Sequence, residues 1–102
     1  KNIKKMISYP SYRLIIERRA QKFLEKLDTL EHKKVVFKIK DLVAPTQQSL
    51  DIKKLQGYKN VYRLRIDGYR VVFSVIQDKK ILIILVIGHR KEIYDKLQRI
   101  SF

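Results

Sequence analysis

The stretch Val61-Tyr62-Arg63-Leu64-Arg65-Ile66-Asp67-Gly68-Tyr69-Arg70-Val71-Val72-Phe73-Ser74-Val75-Ile76 decides the fold. Its hydrophobic period is two on both sides of Asp67-Gly68, a dipeptide suited to a two-residue hairpin loop. Val61 to Ile66 is therefore read as one strand and Tyr69 to Ile76 as its antiparallel return. A loop of that length fixes the register: Ile66 faces Tyr69, Arg65 faces Arg70, Leu64 faces Val71 and Arg63 faces Val72. Side chains alternate across a strand, so Tyr62, Leu64, Ile66, Tyr69, Val71, Phe73 and Val75 share one apolar face. Arg63, Arg65 and Arg70 share the other.

Arg65 opposite Arg70 is a like-charge cross-strand pair, which costs about 0.2–1 kcal/mol against a neutral one. Geometry alone leaves two readings open. The face is simply solvated, or an anion lies between the guanidiniums and is gripped by their planar forks. Lys53 and Lys54, a short loop before the hairpin, and Lys59, just before its first strand, extend the basic surface.

Outward from the hairpin, Gln77-Asp78-Lys79-Lys80 turns the chain. Ile81 to Ile87 then reads as a strand covered on both faces, because its apolar run is nearly continuous. Gly88 is read as its end, and Glu92 to Leu97 as a short last helix. Towards the N-terminus, Tyr12 to Ile16 is a short strand. Arg18 to Leu27 puts Ala20, Phe23, Leu24 and Leu27 on one helical stripe. Asp28-Thr29 breaks it, and a second helical pattern runs through Val35, Val36, Ile39, Leu42 and Val43. Pro45-Thr46-Gln47-Gln48-Ser49 is read as the loop that follows. The order is β-α-α-β-β-β-α: an α+β fold, its antiparallel sheet packed against an N-terminal helical hairpin.

The 102 residues suit one domain, with residues 1–10 as a basic extension. Met6 can be read as the initiator; composition does not decide this. Hydrophobic residues make up 45% of the chain, enough for a core. Twenty-four Lys and Arg against ten Asp and Glu give a formal charge of +14, which favours polyanionic partners, nucleic acid first. The absence of cysteine excludes disulfides, thiolate zinc sites and thiol nucleophiles. His32 and His89 are far apart, and no close carboxylate pair sits near the hairpin, so neither a metal nor a cofactor is expected. Ile81 to Ile87 is too short to span a bilayer, which needs roughly 20 residues. No membrane association is expected, and the location is read as cytoplasmic.

Lys53-Lys54-Leu55-Gln56-Gly57, then Val61 to Phe73, then Ile87-Gly88-His89-Arg90-Lys91-Glu92-Ile93-Tyr94 together resemble the core of the RelE/ParE toxin superfamily, most closely its RelE-like branch. The likeness extends from Tyr12 to Leu97. It implies the toxin of a type II toxin–antitoxin pair: an endoribonuclease that cuts messenger RNA in the ribosomal A site. The implied chemistry is metal-free attack of a ribose 2′-hydroxyl on the adjacent phosphorus, leaving a cyclic phosphate. It also implies as partners messenger RNA, the ribosome and a small cognate antitoxin with an amphipathic helix. By position, the resemblance gives phosphate neutralisation to Arg63, Arg65 and Arg70, leaving-group assistance to Arg90, and substrate stacking or orientation to Tyr94.

One departure bears on mechanism. Relatives can carry lysine at the positions of Arg63 and Arg65, and a lysine can become a base. Arginine stays protonated, so either Tyr94 or the ribosomal RNA shares in proton exchange, or the rate rests mainly on positioning and charge stabilisation. Gln56 also stands where some relatives carry a basic residue. Structural readings compete for single residues: Tyr94 docking the last helix, Arg90 pairing with Glu92 or Asp95, and His89 packing rather than reacting. For the whole chain, the alternatives are a ParE-like inhibitor of DNA gyrase and a noncatalytic RNA-binding module.

Overall fold

The computed structural model describes residues 3–7, 9–45 and 48–100. Strands β1 (Ile3–Ile7) and β2 (Arg13–Ile16) precede helices α1 (Arg18–Glu25) and α2 (Thr29–Asp41). Strands β3 (Gln48–Lys54), β4 (Val61–Ile66), β5 (Tyr69–Ile76) and β6 (Ile81–His89) follow, and helix α3 (Ile93–Gln98) comes last. The α+β class and the helical hairpin against the sheet are as expected from the sequence.

The sheet runs β1-β3-β4-β5-β6-β2, with two strands that the sequence reading lacked. Residues 3–7, read as part of a basic extension, form edge strand β1 and pair antiparallel with β3. Gln48 and Ser49, read as loop, begin β3; Thr46 and Gln47 lie outside the described residues. Lys53 and Lys54 are consequently strand residues, with Lys53 in register with Arg63. Nor is the sheet wholly antiparallel, because β2 runs parallel to β6 at the other edge. That pairing is non-local, set by how α1 and α2 carry the chain back across one face, and local periodicity does not encode it.

The central hairpin has the register its loop length dictates, from Ile66↔Tyr69 through Arg63↔Val72. The loop's positive φ falls on Asp67 (+50°). Lys34 of α2 holds the Asp67 carboxylate at 2.9 Å and that of Glu31 at 3.1 Å. The Tyr69 hydroxyl donates to Glu31 Oε1 at 2.9 Å. Burial, then this bond, pushes the Tyr69 hydroxyl's pKa up, which keeps the donor protonated. The turn that carries Arg70 is thus fastened to α2 from behind.

Ala20, Leu24, Val35, Ile39 and Leu42 of the helical hairpin region pack on Leu64, Ile66, Val71 and Phe73. A second cluster, Leu55, Val61, Val72, Leu85 and Val86, packs with Ile93 and Leu97 of α3 on the opposite face. Strand β6 is therefore covered on both faces, as its apolar run suggested. A bulge lies within this strand: Val72 pairs with Val86 but Phe73 with Ile84, so Leu85 is the extra residue. The added residue shifts the alternation, returning Ile87 to the helix-covered core while Val86 joins the other.

Gly88 does not end β6; the strand continues to His89. A glycine in a strand marks a close approach, and here the approaching group is Lys96. A Cβ on Gly88 would stand 3.1 Å from Lys96 Nζ and 3.2 Å from its Cδ. Strand β2 pairs only as far as Ile84, and beyond it Lys96 Nζ donates to the Ile87 carbonyl at 3.3 Å. The same ammonium lies 4.5 Å from the centre of the Phe23 ring, so one lysine joins α3 to α1 around the strand edge. Gly88→Ala is expected to displace this flexible end and cost less than about 1 kcal/mol in chemical denaturation.

Candidate functional site

Cations from three strands and from the segment after β6 gather on the face away from the helical hairpin. Lys53 comes from β3, Arg63 from β4 and Arg70 from β5; Arg90 and Lys91 follow β6, and Tyr94 opens from α3. These six side chains line one concavity of about 360 Å³. No carboxylate lines it.

Arg70 is the centre of the array. Its Nη1 donates to the carbonyls of Asp67, at 2.8 Å, and Tyr69, at 2.9 Å. Nε and Nη2 make no hydrogen bond among the described residues. Burial lowers its pKa from the ordinary arginine value, and the charges of Arg65, Arg63 and Arg90 push the same way, while Tyr94 opposes. Like charges thus act on one another across the array, a cost that a bound anion would relieve.

Arg63 departs from the picture of a solvated face, because it is only 3% exposed. Asp51 of β3 stands 3.5 Å from its Nη1 and 3.8 Å from Arg65 Nη1. Arg65 is thereby drawn towards Asp51 while Arg70 is held on the turn carbonyls. Asp51 thus balances part of the positive charge on the array, while Arg65 still acts on Arg70.

The side chains expected at the site do not all converge. Arg65 opens into a neighbouring groove of about 420 Å³, with Lys34 and Lys38 of α2. Lys54 lines another concavity beside the basin, and Lys59 is exposed in the turn before β4. Lys53, Arg63, Arg70, Arg90 and Tyr94 do come together.

The helix-docking role considered for Tyr94 falls instead to its neighbours. Ile93 and Leu97 are buried, and Tyr94 is 52% exposed. Arg90 makes no ion pair with Glu92 or Asp95 among the described residues. Its backbone N–H donates to the Gly68 carbonyl at 3.0 Å, tying the end of β6 to the hairpin turn. His89 packs against the rings of Tyr69 and Phe23, at centroid distances of 5.2 and 5.8 Å.

Sequence reasoning missed Lys91 and Asp51. Lys91 adjoins Arg90 and was legible only as motif spacing. Asp51 would have followed from alternation in Ser49-Leu50-Asp51-Ile52-Lys53, had that segment been recognised as a strand. Among the described residues, no cluster of three or more histidine and carboxylate side chains could hold a metal ion. No helix among them is long and apolar enough to cross a membrane.

Residues 14–94 match the family model of the ParE toxin of type II toxin–antitoxin systems. Toxin RelE3 of Methanocaldococcus jannaschii is 48% identical over 46 residues, covering 45% of this chain and half of that protein. RelE1 of the same organism is 34% identical over 74 residues, covering 72% of this chain and 71% of its own length. In the archaeal RelE–RelB complex from Pyrococcus horikoshii OT3, one chain superposes with a TM-score of 0.64 at 28% identity. That match covers 78% of this chain and 96% of the other. The chain belongs to the ParE toxin family of type II toxin–antitoxin systems and, within the RelE/ParE superfamily, to its RelE-like branch.

Proposed function

We propose that this toxin is a ribosome-dependent endoribonuclease that cuts messenger RNA in the A site without a metal ion. The observation that carries this reading is the acid-free basin in which Arg63, Arg70, Arg90 and Tyr94 meet. The ribose 2′-oxygen attacks the adjacent phosphorus and gives up its proton. The bond from phosphorus to the 5′-oxygen breaks, that oxygen is protonated, and a 2′,3′-cyclic phosphate remains. Arg70 and Arg63 neutralise the charge that builds on the phosphoryl oxygens, Arg90 stabilises the departing oxygen, and Tyr94 orients the nucleotide. Lys53 and Lys91 draw the strand in. Arg65, turned to the next groove, contributes field rather than contact.

Arginine cannot exchange the proton. Within the basin, Tyr94, Lys53 and Lys91 are the groups that can, together with ribosomal RNA. Tyr94→Phe keeps the ring and removes the hydroxyl. With proton transfer shared, the expected loss is about tenfold in cleavage rate, below the roughly 10²–10⁴-fold of a sole acid–base group, with RNA affinity unchanged. Single-turnover cleavage beside a binding titration checks this.

Five cations line the basin, and Asp51 offsets one of them. Four phosphate contacts to single-stranded RNA correspond to a slope of about −3 in log affinity against log salt. Fluorescence anisotropy with an oligoribonucleotide from low to physiological salt measures it; a flat dependence would contradict phosphate binding in the basin.

Toeprinting on translating ribosomes with purified toxin tests the activity. Cuts within the A-site codon are expected, and intact messenger beside an active control toxin would refute it. A second reading, inhibition of DNA gyrase, is favoured by the ParE description of the matching family. Gyrase supercoiling assays that yield linear DNA on toxin addition would place it first.

A cognate antitoxin belongs to this proposal, since the archaeal relative is found with RelB. Its acidic groups would complement the net charge of +14. Co-expression with the adjacent reading frame is expected to give a complex that co-purifies.

A further inference from the structure

The turn that carries Arg70 has its left-handed residue where glycine is the usual choice. Asp67 has φ +50°, while Gly68, which could take that region freely, lies outside it. Those signs are the signs of a II′ loop, whose first position ordinarily belongs to glycine. An Asp-Gly pair suits the I′ loop better, with both residues left-handed. The two loops join the same strands in the same register and differ chiefly by a turnover of the peptide between their central residues.

That peptide carries the Asp67 carbonyl, which accepts from Arg70 Nη1 at 2.8 Å. Its surroundings are pinned. Ile66 pairs with Tyr69, the Gly68 carbonyl accepts from the Arg90 N–H at 3.0 Å, and the Tyr69 hydroxyl donates to Glu31 at 2.9 Å. The Asp67–Gly68 peptide is the part of the turn left able to rotate, and local preference favours its other position. Helix α2 supplies the opposing influence. An aspartate tolerates the left-handed region because its carboxylate can bond to the nearby backbone. Here Lys34 Nζ, braced by Glu31 at 3.1 Å, holds that carboxylate at 2.9 Å and keeps it from doing so. Each partner keeps the other charged: the bond to Asp67 raises the pKa of Lys34, and the bond to Lys34 lowers that of Asp67.

We propose that Lys34 is a positioning residue for Arg70, acting through the Asp67–Gly68 peptide as a two-position latch. With the carboxylate held by Lys34, the Asp67 carbonyl faces Arg70 and fixes its guanidinium. With the carboxylate released, the peptide turns over into the I′ loop and Arg70 keeps only the Tyr69 carbonyl. The inference rests on Arg70 acting on RNA phosphate. It deepens that reading, because a residue of α2 that lines the neighbouring groove and not the basin sets the fraction of toxin with Arg70 in place.

Guanidinium ¹⁵N spectra of the whole toxin read the latch without RNA. Arg70 held at Nη1 rotates slowly about its Nε–Cζ bond and gives resolved Nη signals; Lys34→Ala should broaden or merge them. The same variant should lower the single-turnover cleavage rate on ribosomes about two- to fivefold, the factor by which an exposed ion pair shifts an equilibrium. The ribosome concentration giving half the maximal rate should not change. Gly68→Ala has open space for its methyl group and disfavours the left-handed φ that the I′ loop needs there. Added to Lys34→Ala, it should restore spectrum and rate although the lysine's charge is still missing.

Unchanged Arg70 signals in Lys34→Ala overturn the latch, whatever the activity. A lost rate that Gly68→Ala does not restore overturns it too. Weaker ribosome binding at an unchanged maximal rate makes Lys34 a ribosome contact instead. A loosened Arg70 with undiminished cleavage overturns the positioning role; if Arg70→Ala is also fully active, the phosphate role of Arg70 falls with it.

Discussion

Arg70→Ala is expected to slow messenger-RNA cleavage by about 10²–10³-fold, the range found when one preorganised donor to a developing anion is removed. Its position makes it the most consequential cation of the basin. It lies opposite Arg65 on β5, and its Nη1 is fixed on the carbonyls of Asp67 and Tyr69. The guanidinium therefore reaches the transition state already oriented. The burial and like charges that depress its pKa also make it respond strongly to an anion.

Arg70→Lys keeps a charge but loses the planar fork and one of its anchors, so it should recover no more than about a tenth of the lost rate. Single-turnover cleavage on ribosomes is the measurement, with a thermal melt of each variant to separate activity from folding. A full rate from the folded alanine variant would remove Arg70 from the chemistry.

The second large effect is on stability. Asp51→Ala removes the carboxylate that stands 3.5 Å from Arg63, which is 3% exposed, and 3.8 Å from Arg65. Breaking a buried ion pair from one side costs about 3–5 kcal/mol. For a chain of this size, 3 kcal/mol lowers the melting temperature by at least about 10 °C. Asp51→Asn should lose most of the same stability while keeping the shape, which assigns the effect to charge. Arg63→Met in the Asp51→Ala background should restore stability, because an apolar pair of similar volume carries no desolvation cost. Activity should stay low in that double variant, since Arg63 is gone. An unchanged melt in Asp51→Ala would mean that the carboxylate does not hold the array.

The hairpin was legible because two independent signals agree there. Asp67-Gly68 sets the loop length, and alternation around it sets the faces, so Arg63, Arg65 and Arg70 could be put on one side. The motif at the chain's end added Arg90 and Tyr94, which the structure brings to the same basin. What stayed hidden is non-local or offset. The parallel pairing of β2 with β6 joins Arg13–Ile16 to a strand nearly 70 residues on, and no local pattern records it. Strand β3 follows a proline-containing polar stretch, so its alternation was masked, and with it Asp51 and the true setting of Lys53.

The extra residue at Leu85 shifts the period inside an apolar run, where inward and outward positions are chemically alike. Gly88 looked like a terminator because its reason, room for Lys96, lies on another helix. Arg65 shows the limit of face assignment: register puts it beside Arg70, but Asp51 draws its side chain towards another groove.

The most direct test of the central claim is the chemistry at the cut ends of messenger RNA recovered from ribosomes treated with the purified toxin. The expected result is an A-site cut bearing a 2′,3′-cyclic phosphate upstream and a 5′-hydroxyl downstream, undiminished by chelators and nearly lost with Arg70→Ala. Intact messenger beside an active control toxin, or ends bearing a 5′-phosphate, would contradict it.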